Sequence, residues 1–183
     1  MSASRRVSQE ALLAVVTAGT AYLALSPGLH EALHVVYNYA FTGGHVAGCG
    51  MGPWTLDEGR VVTCFAPGGR PALNALLTPV TTALAGVGLM WASPRARRTG
   101  VRRGLLVAGA AAWAVQSLYG MGVLTPPALD NHGVTVWGDG IAALGAFGWP
   151  AVAPGACALA LGALVLRRRV AVRARDAPLW AWK

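Results

Sequence analysis

Charged residues make up only 12% of this 183-residue chain, and carboxylates are the scarcer kind: seven Asp and Glu against 15 Lys and Arg. An ordinary soluble domain is about a quarter charged. Together with 55% hydrophobic residues and a mean hydropathy of +0.49, this excludes a typical soluble globular protein. There is no internal repeat, no heptad pattern and no low-complexity tract beyond a general Ala/Gly/Val/Leu bias, so solenoid, coiled-coil and linker architectures drop out. The first apolar run follows Arg5 and Arg6 as a signal peptide would, but no A-x-A-like site comes after it, and a retained helix is expected. Cysteine is limited to three residues. Cys49 and Cys64 share one loop, where an oxidising compartment permits a bridge if the distance allows it; Cys157 sits in the last apolar run as a small apolar side chain.

What the chain has in quantity is long apolar runs. Four of them, at about 10–41, 71–92, 104–124 and 139–166, reach the roughly 20 residues that a membrane-spanning helix needs. The expected fold is an all-α polytopic membrane protein, a single membrane-embedded domain over 1–183 with about four transmembrane helices. A short Gly-rich loop follows the first run, and in its "TLDEGRVVTCF" the residues Asp57, Glu58 and Gly59 read as a turn between two short strands, a small hairpin. Ser26 and Pro27 suit an N-cap and first helical position. A full restart there would add a fifth crossing, so a single kinked or partly re-entrant span is expected.

The formal charge of +8 is grouped between the runs. Arg5 and Arg6, then "PRARRTGVRR" (Arg95, Arg97, Arg98, Arg102, Arg103), then "LRRRVAVRAR" (Arg167, Arg168, Arg169, Arg173, Arg175) all fall on one side of a four-span chain. The positive-inside rule explains this without nucleic acid and puts both termini in the cytoplasm of a multi-pass cell-membrane protein. The expected partners are the lipid bilayer and a membrane protein or peptide. Trp137, Trp149, Trp180 and Trp182 lie near the predicted membrane edges, as an aromatic belt would.

Inside the first run stands "HEALH": His30, Glu31 and His34. Residues four apart share a helix face, so the two imidazoles can grip one ion. Ionisable groups at membrane depth are costly and point to function. In an H-E-x-x-H arrangement the glutamate acts as general base on water activated by the metal. Zinc is the expected ion, since it accepts two histidines and a carboxylate and leaves a fourth position open.

A third ligand must come from elsewhere. Glu10 and Asp176 are near the termini and Asp57 and Glu58 in a polar loop, which leaves Asp130 and Asp139 in "ALDNHGVTVWGDGIAALG". Taken alone, Asp139 reads as a helix N-cap. Topology favours it as a ligand: at 1.5 Å per residue, His30 and His34 lie about 30–36 Å along a helix rising from the cytoplasm, the depth at which the run opened by Asp139 begins. Asp130 and His132 stay in reserve, while His45 and His132 read more simply as loop histidines.

"HEALH" with its "FTGG" end, and the distant "GDG" opening the last run, together resemble the intramembrane zinc metalloproteases of the site-2 protease class. In that class a later L-D-G or P-D-G aspartate completes the site. The resemblance implies His30, His34 and Asp139 as metal ligands and Glu31 as the catalytic base. It extends to "RPALN", where Pro71 and Asn74 match part of a G-P-x-x-N stretch with Arg70 in place of the glycine, and so implies Asn74 as a holder of substrate. The implied activity is zinc-dependent cleavage of peptide bonds of membrane-associated substrates. The alternative from another class is a non-catalytic scaffold or transport protein that uses His30, Glu31 and His34 to bind a metal or as a polar helix contact.

Overall fold

The computed structural model describes residues 3–42, 54–57, 60–63, 72–124, 129–131, 134–136 and 138–176. Cys49, Cys64, His45, His132, Arg70, Pro71, Trp137, Trp180 and Trp182 lie outside them.

The chain opens with helix α1 (Ala3–Leu23), which runs through a π-helical segment (Ala24–Leu29) into α2 (His30–Thr42). Ser26 and Pro27 therefore do not start a new helix, and the first run stays one continuous stretch, interrupted at the proline by the π-helical turn. Proline cannot donate to the ladder, and its ring crowds the carbonyl one turn back. Widening the turn to i→i+5 absorbs both problems without ending the helix. The consequence is rotational. An added residue in a turn shifts all that follows by roughly 100°, and while α1 packs on α4 (Thr99–Gly120), α2 packs on α3 (Ala72–Ala92).

Strands β1 (Trp54–Asp57) and β2 (Arg60–Thr63) pair antiparallel, as do β3 (Leu129–Asn131) and β4 (Val134–Val136). The first pair falls where the Asp57 turn was read.

The expected last span over 139–166 is not one helix. Short α5 (Asp139–Phe147) stops at Gly148, whose φ of 66° is left-handed, and Trp149–Ala151 forms a 3₁₀ turn with Pro150 before α6 (Val152–Asp176) begins. Glycine takes that conformation without the Cβ penalty, and proline cannot carry the preceding ladder through it.

Among the described residues, three stretches are long and apolar enough to cross a membrane: Arg6–Ala40, Ala72–Arg95 and Trp149–Arg169. Helix α4, expected as the third span, is less apolar because it carries Gln116, Ser117 and Tyr119 near one end. It occupies the middle of the bundle, against α1, α3, α5 and α6.

Contacts along α4 fix the helix directions. Gly100 and Gly104 meet Glu10 and Ala14 of α1, so these two helices run parallel; Gly109 meets Gly86 and Gly120 meets Pro79, so α3 is antiparallel to α4. Trp113 donates to the Ala158 carbonyl at 2.8 Å, and Ser117 lies beside Gly155, so α6 is antiparallel to α4 as well. The core is built of small residues (Ala75, Ala83, Ala108, Ala112, Ala143, Ala158), while Val15, Leu23, Val36 and Leu164 face outward. Apolar outside and small inside is the packing of helices in lipid, where close backbone approach replaces the hydrophobic effect.

At the α3–α4 crossing a Cβ on Gly109 would stand 2.7 Å from the Gly86 carbonyl oxygen, whereas one on Gly88 would meet nothing within 4 Å. Gly109→Ala is expected to destabilise by about 1–3 kcal/mol through overpacking, and Gly88→Ala to be neutral or slightly stabilising. Thermal melts in detergent check the pair.

Candidate metal centre

Helix α2 buries an unusual face. Among its described side chains His30, His34 and Asn38, spaced four apart, are the buried ones, while Val36 and Tyr39 are exposed. On α3 the same spacing repeats, with Asn74, Thr78 and Thr82 each fully buried. Residues at i, i+4 and i+8 share a helix face, so two polar stripes meet where α2 packs on α3. Buried polar groups must find partners, and here they find one another.

Asn74 Nδ2 donates to the His34 carbonyl at 2.9 Å, which turns its Oδ1 to His34 Nδ1, also at 2.9 Å. Thr78 Oγ1 donates to the same Oδ1 at 2.9 Å and stands 3.2 Å from Nδ1; Thr82 donates to the Thr78 carbonyl at 2.9 Å. With an acceptor opposite it, Nδ1 carries the ring proton of His34, and the Nε2 lone pair is presented on the other side. Fixing the tautomer from behind is how proteins prepare histidine as a ligand.

Facing that Nε2 is Asp139. Its Oδ2 is 3.2 Å from His34 Nε2 and 2.9 Å from His30 Nε2, and the two imidazole Nε2 atoms are 3.2 Å apart. The rings meet edge to face, with centroids 4.8 Å apart. All three residues are buried, Asp139 completely. His30, His34 and Asp139 thus form a group that could hold a metal ion. Donor atoms around a tetrahedral zinc at 2.0–2.1 Å stand about 3.3 Å from one another, so the observed spacing and the N, N, O donor set fit such an ion.

The delivery of Asp139 is a matter of backbone. Helix α4 ends in a paired C-terminal motif: the Val123 amide donates to the Leu118 carbonyl and the Gly122 amide to the Tyr119 carbonyl, each at 3.0 Å, with Gly122 at a φ of 73°. This is the Schellman arrangement, which favours glycine at the left-handed position. Helix α5 starts directly against it. Gly140 lies so close that a Cβ there would overlap the Tyr119 carbonyl and the Gly122 backbone. Asp139 is not the N-cap; Gly138 is, and its carbonyl takes the Ala142 amide at 3.0 Å. The Asp139 side chain, released from capping, is available to the histidines. Its own amide donates to the Tyr119 hydroxyl at 3.1 Å.

The structure therefore brings together His30, His34 and Asp139 from α2 and α5. Glu31 follows His30 on α2 and is half-buried. Asp130 falls on β3. Asn74, expected to hold substrate, is fully buried and spends its amide on His34 instead. Sequence reading passed over Thr78 and Tyr119. The i, i+4, i+8 spacing of Asn74, Thr78 and Thr82 was a usable signal, but nothing in the sequence marks Tyr119, whose ring centroid is 5.7 Å from that of His30 and which thereby touches two of the three candidate ligands.

Asn74→Leu is expected to weaken metal binding by about 10–100-fold, the usual cost of losing a partner behind a ligand, with the helix content unchanged. Competition titration against a chelator reads it. Tyr119→Phe keeps the ring beside His30 and removes the hydroxyl that accepts the Asp139 amide, so a smaller loss is expected.

No family model, curated protein or solved structure matches the chain.

Proposed function

We propose that the chain is a zinc-dependent intramembrane endopeptidase, with both termini in the cytoplasm of a multi-pass membrane protein, acting on membrane proteins or peptides. The observation that carries this reading is the convergence of an H-E-x-x-H helix with an aspartate from a distant helix, three buried donor atoms 2.9–3.2 Å apart. The resemblance to site-2 proteases rests on the same residues. Four crossings are supported by the alternating directions of α1, α3, α4 and α6, with α4 the internal and less apolar one; a helix shielded by protein needs less apolar surface than one facing lipid.

Bound zinc supplies a Lewis acid that lowers the pKa of water to about 7 and polarises a peptide carbonyl. The chain's own residues do the rest. His30, His34 and Asp139 would hold the ion, with Asn74 and Thr78 locking the His34 tautomer from behind and Asp139 adding one negative charge that would partly offset the ion's. Glu31 takes the proton from the attacking water and returns it to the leaving amine, which closes the proton balance of hydrolysis. The burial of the ligands suits a reaction run away from bulk water.

The test is metal content. Purified wild-type protein is expected to hold one zinc per chain by elemental mass spectrometry, and His30→Ala to hold none; wild type without stoichiometric zinc sinks the protease reading. The direct 2.9 Å approach of His30 to Asp139 favours, as the second reading, a polar helix contact in a non-catalytic scaffold, and that reading predicts this metal-free result.

A further inference from the structure

We propose that the end of the bundle opposite the metal centre is a docking surface for anionic phospholipid headgroups. The helix directions bring the basic groups there. The Glu10 carboxylate of α1 accepts the Gly100 amide at the start of α4, and Arg169 of α6 donates to the Met90 carbonyl at 2.9 Å and to that of Trp91 at the end of α3. Four helix ends are thereby tied at one level. The metal centre lies at the other ends of α3 and α4, with Asn74 16 residues before Met90 and Tyr119 19 residues after Gly100, some 25 Å away at 1.5 Å per residue.

At the tied end Arg95, Arg97, Arg98, Arg103, Arg167 and Arg168 are all exposed. The acidic side chain among them, Glu10, is committed to the α4 amide. Among the described side chains the other carboxylates, Glu31 and Asp139, belong to the metal-centre end, so the field here is of one sign.

The surroundings select a lipid surface over nucleic acid. Trp91 is 60% exposed and Arg95 stacks over its ring at 4.3 Å. Val7 (70% exposed), Val107 (59%) and Leu164 (54%) lie within about two helical turns of the arginines. A nucleic acid would meet this apolar rim to no advantage, whereas a leaflet offers acyl chains to the rim and phosphates to the guanidinium groups directly above it. Tryptophan and arginine at such a border are interface anchors, and planar guanidinium groups take phosphate oxygens two at a time. The positive-inside rule explains which side the charge is on; the committed Glu10 and the stacked Trp91–Arg95 pair add a surface already arranged for phosphate.

The test uses the full chain in mixed micelles containing equal phosphatidylcholine and phosphatidylglycerol, with the lipid retained on the protein counted by native mass spectrometry. Wild type is expected to retain phosphatidylglycerol in clear excess. Arg97→Gln/Arg98→Gln is expected to reduce the excess about fivefold for each arginine replaced, and added salt to reduce it as well. Zinc content stays unchanged throughout, so this result is separate from that of the protease proposal. Equal retention of the two lipids by wild type overturns the proposal, a comparison that needs no substitution to fold. So does an excess untouched by both the Arg97→Gln/Arg98→Gln and Arg167→Gln/Arg168→Gln variants. Displacement of phosphatidylglycerol by an equal concentration of inorganic phosphate overturns it too, by identifying a site for free anions instead of a lipid surface.

Discussion

Glu31→Gln is expected to keep the zinc content of wild type and to lose peptide hydrolysis by a factor of about 10²–10⁴, the usual contribution of a general base. The amide is nearly the same size as the carboxylate and cannot accept the water's proton. Glu31 is half-buried and is not one of the three clustered side chains, so the substitution leaves the ion's donors in place. Asp139→Ala gives the opposite pattern, with both zinc and activity lost, because it removes the oxygen that stands within 3.2 Å of both histidines. The pair separates catalysis from binding on one preparation, read by elemental analysis and by cleavage of a transmembrane peptide. Zinc retained and cleavage undiminished in Glu31→Gln removes the glutamate from the mechanism. Zinc retained in Asp139→Ala but lost in Asp130→Ala or His132→Ala moves the third ligand elsewhere.

The second large effect needs no change to any candidate ligand. Gly140→Ala places a Cβ in overlap with the Tyr119 carbonyl and the Gly122 amide, and within 2.7 Å of the Gly122 Cα. These are backbone atoms locked in the α4 C-terminal motif and cannot step aside as a side-chain tip can. Helix α5 must move instead, and Asp139 moves with it. The expected outcome is a destabilisation at or above the upper end of the 1–3 kcal/mol range for overpacking, with the metal lost in the same variant. Gly145→Ala is the control on the same helix: nothing lies within 4 Å of its Cβ, and alanine is the better helix former by about 1 kcal/mol, so stability is held or raised and the metal stays. If Gly140→Ala binds zinc as wild type does, Asp139 does not depend on this approach of α5 to α4.

The fit of His30, His34 and Asp139 has a bearing on how membrane helices handle polar groups. Each polar stripe alone would be expensive in lipid. Facing each other, the stripes join His34, Asn74 and Thr78 in shared hydrogen bonds, while Val36, Tyr39 and Leu84 are exposed on the outside of the helices. The face that could hold a metal ion is thus also the packing face, and a substitution at Asn74 or Thr78 is expected to bear on both.

Much of this was legible in the chain itself. The scarcity of charge and the four apolar runs indicated a helical membrane protein, because spanning segments must satisfy their backbone within each helix and so announce themselves by length and composition. His30 and His34 were legible as a pair, since residues four apart meet on any helix. Asp139 reads as a helix cap when taken alone and came into reach as a ligand only through a depth estimate from the arginine clusters; the fold assigns the cap to Gly138. Gly148 and Pro150 split the last apolar run by local backbone chemistry, a break that the length and mean hydropathy of the run pass over. Tertiary structure alone decided the rest. Pro27 widens a turn instead of ending a helix because the neighbouring packing holds the ladder on both sides. Asn74 faces His34, and Tyr119 reaches Asp139, because α4 ends in a left-handed glycine that lets α5 start against it. Local spacing and composition are written in the order of residues. Which side chain stands behind a ligand depends on helix directions and close backbone approaches between segments about 20 to 110 residues apart, and no local pattern carries them.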